Sequence, residues 1–205
     1  NGTGDAEAMF LGNRRAFTKV PRAAGELWQA LIMGKVPARG SLLRIYIAQG
    51  GLASDLAQAE MGEVGDIRRL KGDFDLRELG RMRRYMKNAA LPFTGYFKVA
   101  RIGNDYREAI LKYAAFIQFR EEMLANGGKP KSWGASDRRR IMGLKTVDQR
   151  AFQMANDLLG AYDEVGHMGQ WLRNYAMPFF SWEEVNTRRY KRLLQNAMED
   201  AGVAE

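Results

Sequence analysis

The sequence predicts an all-α protein, an irregular multi-helix bundle of roughly eight helices. Three observations carry this. Apolar residues recur at intervals of three and four along most of the chain, the period of a helix with one buried face. Glycine and proline punctuate the chain between these stretches. Only one short run, Leu42-Leu43-Arg44-Ile45-Tyr46-Ile47-Ala48, reads equally as strand or buried helix, and no partner strand is evident elsewhere, so helix is preferred.

The elements follow in order. Residues 5–17 predict a short helix with Ala6, Met9, Phe10 and Phe17 apolar and Arg14 and Arg15 exposed. Pro21 suits the first turn of the next helix, because its missing N–H costs nothing there. Ala24, Leu27, Trp28, Leu31 and Ile32 form its apolar face, and Gly34 is its stop. Residues 35–40 are a loop, and Gly50-Gly51 ends the helix that follows it. Residues 52–65 are a weaker helical region. A helix over 73–90 carries Leu79, Met82, Met86 and Ala89 on one side, with Arg77, Arg81 and Arg84 on another; Pro92 ends it. The longest helix spans 104–126, with a stripe of Tyr106, Ala109, Ile110, Tyr113, Phe116, Ile117, Met123 and Leu124, closed by Gly127-Gly128.

Residues 129–137 are the most loop-like stretch. They divide the chain into 1–128 and 129–205, as two helical regions or as one continuous domain. Ser136-Asp137 opens a short basic segment leading to a helix from Thr146. Residues 151–197 organise the rest. Met154, Leu158 and Val165 share a face with Val147, Ala151 and Tyr162, and Met168, Trp171, Leu172 and Tyr175 continue it. Pro178 stops the helix, since its ring clashes with the preceding turn. Ser181 and Glu184 then form an S-x-x-E capping box that starts the last helix. The corner between them, with Phe179, Phe180 and Trp182, predicts a packed core element. At least one of the two phenylalanines, with Trp182 or Trp171, is expected against the helix of Met154 and Leu158.

The 205 residues suffice for one large domain or two small ones. The chain opens on Asn1-Gly2-Thr3-Gly4 without Met, which reads as the edge of a piece of something longer. It has no cysteine, so neither disulfides nor thiolate metal sites. No apolar run approaches the roughly 20 residues of a membrane span, and no signal peptide is visible.

Enzyme chemistry finds little support. Glu121-Glu122 and Glu183-Glu184 are sequence neighbours on helices, so the members of each pair diverge by about 100°. They read as solvated helix faces and a cap. The single histidine, His167, has no nucleophile or second base nearby in sequence. Gly2-Thr3-Gly4 is not a phosphate loop, because no strand precedes it and no Gly-Lys-Ser/Thr follows. No cofactor or metal ligand set is expected.

The net charge is +8, from 32 Lys and Arg against 24 Asp and Glu. Such a surplus favours phosphates, anionic lipid or an acidic partner. The candidate contact residues are Arg138-Arg139-Arg140, Arg188-Arg189, Arg81 and Arg84. Interleaved acids dilute most clusters, which favours ordinary solvated faces; Arg138-Arg139-Arg140 is the least diluted. The 11 Met and 4 Trp read mainly as core, with a partner interface as the alternative.

The order Tyr162-Asp163, Arg173, Pro178-Phe179-Phe180, Trp182 and Asn186 resembles a helical module of very large bacteriophage proteins, the polyvalent and internal virion proteins. Residues 106–128, with Arg107, Ala114-Ala115-Phe116 and Leu124, and residues 41–51 are similar too. The order Tyr162-Asp163 departs from the expected Asp-Tyr. The resemblance implies a non-enzymatic assembly module, packaged in the particle and ejected with the DNA. Its partners would be other virion proteins (itself, portal or tail), and DNA by non-specific phosphate contact. The alternatives are a helical nucleic-acid-binding domain, or an accessory domain of an enzyme whose catalytic part lies outside these residues.

Overall fold

The computed structural model describes residues 2–52, 80, 96–130, 135–159, 187, 189–191, 193–195 and 198. Among them every regular element is helical and no strand occurs. There are six α-helices and one 3-10 helix: α1 (Gly2–Asn13), the 3-10 helix (Arg14–Lys19), α2 (Val20–Leu31), α3 (Leu42–Ala48), α4 (Tyr96–Ala125), α5 (Ala135–Met142) and α6 (Val147–Leu159). The described residues between 187 and 198 are helical as well. The helices expected over 52–65 and 73–90, and the second half of the 151–197 stretch down to its corner, fall almost wholly outside the described residues.

The first expected helix becomes two elements, with the chain tightening to 3-10 geometry at Arg14. Ala8 and Met9 are buried, whereas Phe10 is 55% exposed, with the Arg14 guanidinium 5.7 Å over its ring. Pro21 does sit in the first turn of α2. The apolar face of α2 is rotated from the expected one. Ala23, Leu27, Ala30 and Leu31 are buried, while Trp28 and Ile32 are exposed. The cause is packing: α2 presents its smaller residues to α4, and Tyr106 Oη of α4 donates to the Ala24 carbonyl at 3.3 Å. Gly34, with φ of +78°, stops the helical run in the left-handed region that glycine enters without strain.

The ambiguous run at 42–48 is a helix. Ser41 accepts from the Arg44 amide at 3.3 Å as its N-cap. Leu43, Tyr46 and Ile47 face the core. Leu52 beyond the turn is buried with them.

α4 is the axis of the fold, and it starts eight residues before the expected Asn104. Gly103 is tolerated within it, an internal glycine costing only about 1 kcal/mol. It packs against α6, the 3-10 helix, α2, α1 and α3. Because neighbours surround it, its stripe widens into a nearly continuous buried run from Leu111 to Phe119. That run includes Lys112, whose Nζ lies 3.0 Å from Glu108 Oε1. Leu124, expected on the stripe, is 55% exposed. The helix ends as expected: Gly127 and Gly128 have φ of +62° and +81°, and the Gly128 amide donates back to the Met123 carbonyl at 2.6 Å.

One hydrophobic cluster joins both sides of the 129–137 stretch, from Ala8 and Met9 of α1 to Met154, Leu158 and Leu159 of α6. At its centre the Tyr46 ring lies 5.0 Å from Tyr113, 5.4 Å from Phe116 and 5.7 Å from Phe152. Such aromatic pairs contribute about 0.5–1.5 kcal/mol each beyond area burial. They pin α3, α4 and α6 to one another. Gly12 of α1 lies against Leu158 and Leu193, so closely that a Cβ there would overlap the Leu158 side chain.

Candidate functional site

The basic segment 138–140 lies on α5, an eight-residue helix. Arg138 belongs to it, but its side chain lies outside the described residues. Arg139 is exposed. Arg140 is partly exposed but tied down: its Nη2 donates to Asp157 Oδ2 of α6. The Asp157 carboxylate is fully buried and accepts a second hydrogen bond from Gln153 Nε2 at 3.2 Å. A carboxylate without solvent needs such partners. The three consecutive arginines are therefore not one uniform contact strip. Arg140 fastens α5 to α6, and Arg139 is left at the surface.

The second arginine group divides in the same way. Arg189 is 3% exposed, its guanidinium 5.9 Å over the Tyr190 ring. Leu193, one turn further on, is also buried, whereas Tyr190, Leu194 and Met198 are exposed. Residues 189 and 193 thus share the inward face of this helix at i, i+4 spacing. An arginine so placed cannot serve as the surface phosphate contact expected of it. Arg188, Arg81 and Arg84 lie outside the described residues. So do the corner residues Pro178, Phe179, Phe180, Ser181, Trp182 and Glu184, together with His167, Trp171 and Glu183.

The acids of α4 take separate structural partners. Glu121 pairs with Lys19 of the 3-10 helix. Glu122 accepts from Asn13 Nδ2 of α1 at 3.2 Å and from Gln118 Nε2 at 2.7 Å. Arg120 Nε lies 2.5 Å from Asp148 Oδ1 of α6. Near the other end, the fully buried Tyr113 donates its hydroxyl to Glu26, which also accepts from Arg22 Nε at 2.8 Å. Burial first, and the Glu26 carboxylate second, push the Tyr113 hydroxyl well above its ordinary value.

Two features beside the C-terminal end of α4 escaped the sequence reading. Thr146 and Gln149 form a reciprocal capping box at the start of α6, with Gln149 N to Thr146 Oγ1 at 3.1 Å and Thr146 N to Gln149 Oε1 at 3.3 Å. The T-x-x-Q spacing carries that signal. Arg150 bridges two turns, donating from Nη1 to the Gly128 carbonyl and from Nε to the Leu144 carbonyl, both at 2.9 Å. Nothing in the sequence marks that contact, because both acceptors are backbone.

The described surface also carries an apolar face. Trp28 (51%), Ile32 (37%), Met33 (59%) and Val36 (57%) are exposed at the end of α2 and in the residues after it. Comparison with protein-family models, with curated proteins and with solved structures gives no match. Among the described residues no group of three metal-ligating side chains gathers, and no helix is long and apolar enough to cross a membrane.

Proposed function

We propose that this chain is a non-enzymatic structural and assembly module of a phage internal virion protein. On this reading it is packaged in the head or tail and delivered into the host cell with the DNA. Its partners are other virion proteins: copies of itself, the portal or the tail. The complete module is an irregular bundle of roughly eight helices, the six α-helices above joined by those expected over 73–90 and at 182–197.

The observation that carries the assembly reading is the apolar face of α2. Trp28 of α2, and Ile32, Met33 and Val36 just after it, are exposed, although Ala23, Leu27, Ala30 and Leu31 of α2 are buried. Exposed apolar side chains clustered within nine residues of a folded chain are a candidate contact surface, and tryptophan and methionine are favoured anchors in such surfaces. The non-enzymatic reading is supported by the use of the described acids. Glu26, Glu121, Glu122, Asp148 and Asp157 are each committed to a tie within or between helices. The phage setting rests on the resemblance over residues 162–186.

The test is made on purified particles. Peptides of this chain should be detected by mass spectrometry and should resist protease until the capsid is opened. Their absence from particles would sink the virion reading. Trp28→Ser with Met33→Ser should fold with an unchanged melting temperature and fail to enter particles. Incorporation equal to the parent would remove the α2 face from the argument.

A further inference from the structure

We propose that the end of the bundle where α4, α5 and α6 meet binds the phosphate backbone of a nucleic acid through Lys129, Arg139 and Lys145. This goes beyond the assembly reading and does not depend on it.

The first ground is charge density. Residues 123–147 hold six Lys and Arg against one Asp; with Arg140 paired to Asp157, five cations stand against that one acid. The second is that the fold gathers these residues from separate turns. Arg150 holds the Gly128 and Leu144 carbonyls on one guanidinium, each at 2.9 Å. Lys129 and Lys145 are the next residues along the chain. A Cβ on Gly128 would lie 3.7 Å from Val147 Cγ2, which places the same two turns together independently. Arg139 lies one turn before this point on α5: the Gly143 amide donates to its carbonyl at 3.1 Å, and Leu144 follows directly.

The third ground is that the nearby described acids are occupied. Asp148 is paired with Arg120 and Asp157 with Arg140. Lys129, Arg139 and Lys145 are all exposed. Three cations on adjoining turns match a polymer that carries one charge per about 1.7 Å of duplex axis.

A nucleic acid is favoured over an anionic membrane by what surrounds the patch. Membrane-surface elements insert apolar side chains beside their cations. Among the described residues the exposed large apolar side chains lie on α1, at and after the end of α2 and at Tyr190, Leu194 and Met198; of the described residues within 123–147 only Leu124 is one of them. The contacts are to phosphate, so binding is independent of base sequence.

The test uses the full 205-residue chain. Fluorescence anisotropy with a labelled duplex of about 30 base pairs is read across a salt series. The triple variant Lys129→Ala, Arg139→Ala, Lys145→Ala should weaken binding at least tenfold at low salt. It should also flatten the slope of log affinity against log salt, by up to about 2.7 for three lost contacts. Its circular dichroism melt should match the parent, since all three side chains are exposed. A charge-matched control, Arg14→Ala, Arg15→Ala, Arg39→Ala, should keep the parent's affinity within about twofold and its slope. Equal losses in both triples would assign the effect to total charge and overturn the site. An unchanged first triple would do the same, as would binding to phosphatidylserine vesicles with none to duplex.

Discussion

Replacing Arg140 with Ala separates a structural arginine from a contact arginine. The Arg140 side chain is 39% exposed, whereas its partner Asp157 is fully buried. The substitution therefore removes the arginine's charge from a carboxylate that stays inside the bundle, where the Gln153 amide still donates to it at 3.2 Å. Removing one member of a buried pair costs about 3–5 kcal/mol. Arg140 keeps some solvent, so the expected loss is at the lower end, about 3 kcal/mol, or roughly a hundredfold in the folding equilibrium. Asp157→Asn should cost less, about 1–2 kcal/mol, because Arg140 can turn to water and Asn still fills the site. The double variant should then be more stable than Arg140→Ala alone, since it buries no unpaired charge. Urea unfolding followed by circular dichroism measures all three on one scale. The reasoning fails if Arg140→Ala and Asp157→Asn cost the same, or if both cost under about 0.5 kcal/mol, the level of a surface pair.

Three further substitutions test the packing. The Tyr113 hydroxyl is held above its ordinary value, so its stabilising effect is fully present below the unfolded value of about 10 and is lost as pH rises above it. Stability should fall by up to about 1.4 kcal/mol per pH unit there, and Tyr113→Phe should reduce that slope in urea unfolding measured from pH 8 to about 11. Gly51→Ala would drive a Cβ into the ring of fully buried Tyr46 and should cost about 1–3 kcal/mol. Gly25→Ala, with nothing within 4 Å of the added Cβ, should stabilise α2 by about 0.5–1 kcal/mol; the reverse order in thermal melts would refute both placements.

The all-helical class was legible because its signals are local. Ser41 caps α3, Pro21 opens α2, and the glycines at 34, 50, 127 and 128 all take positive φ where the sequence pattern stops. Faces were less legible, because periodicity finds an apolar stripe without saying what covers it. Trp28 and Leu27 are sequence neighbours on α2, yet Leu27 is buried and Trp28 is half exposed. The burial of Lys112 follows from neighbours around α4, which no local window contains. The candidate contact residues were legible as charge and not as geometry. Arg139 and Arg140 are identical in sequence terms, and only the position of Asp157 on α6, 17 residues further on, divides their roles.

That division gives the positive charge a consequence in salt. Lys19, Arg22, Lys112, Arg120 and Arg140 are matched by acids of the fold, so their charge is largely cancelled at short range. Lys129, Arg139 and Lys145 face solvent, where ions screen them with a Debye length of about 8 Å at physiological ionic strength. The internal pairs built on Asp157 and Lys112 are shielded from that screening by burial. Raising salt from about 50 to 500 mM should therefore strip a bound duplex by orders of magnitude while moving the melting temperature by only a few degrees. If the melting temperature fell in step with duplex affinity, the two sets of charges would not be separate. The basic end would then belong to the forces that hold the helices together, and a partner's phosphates would have nothing left to meet.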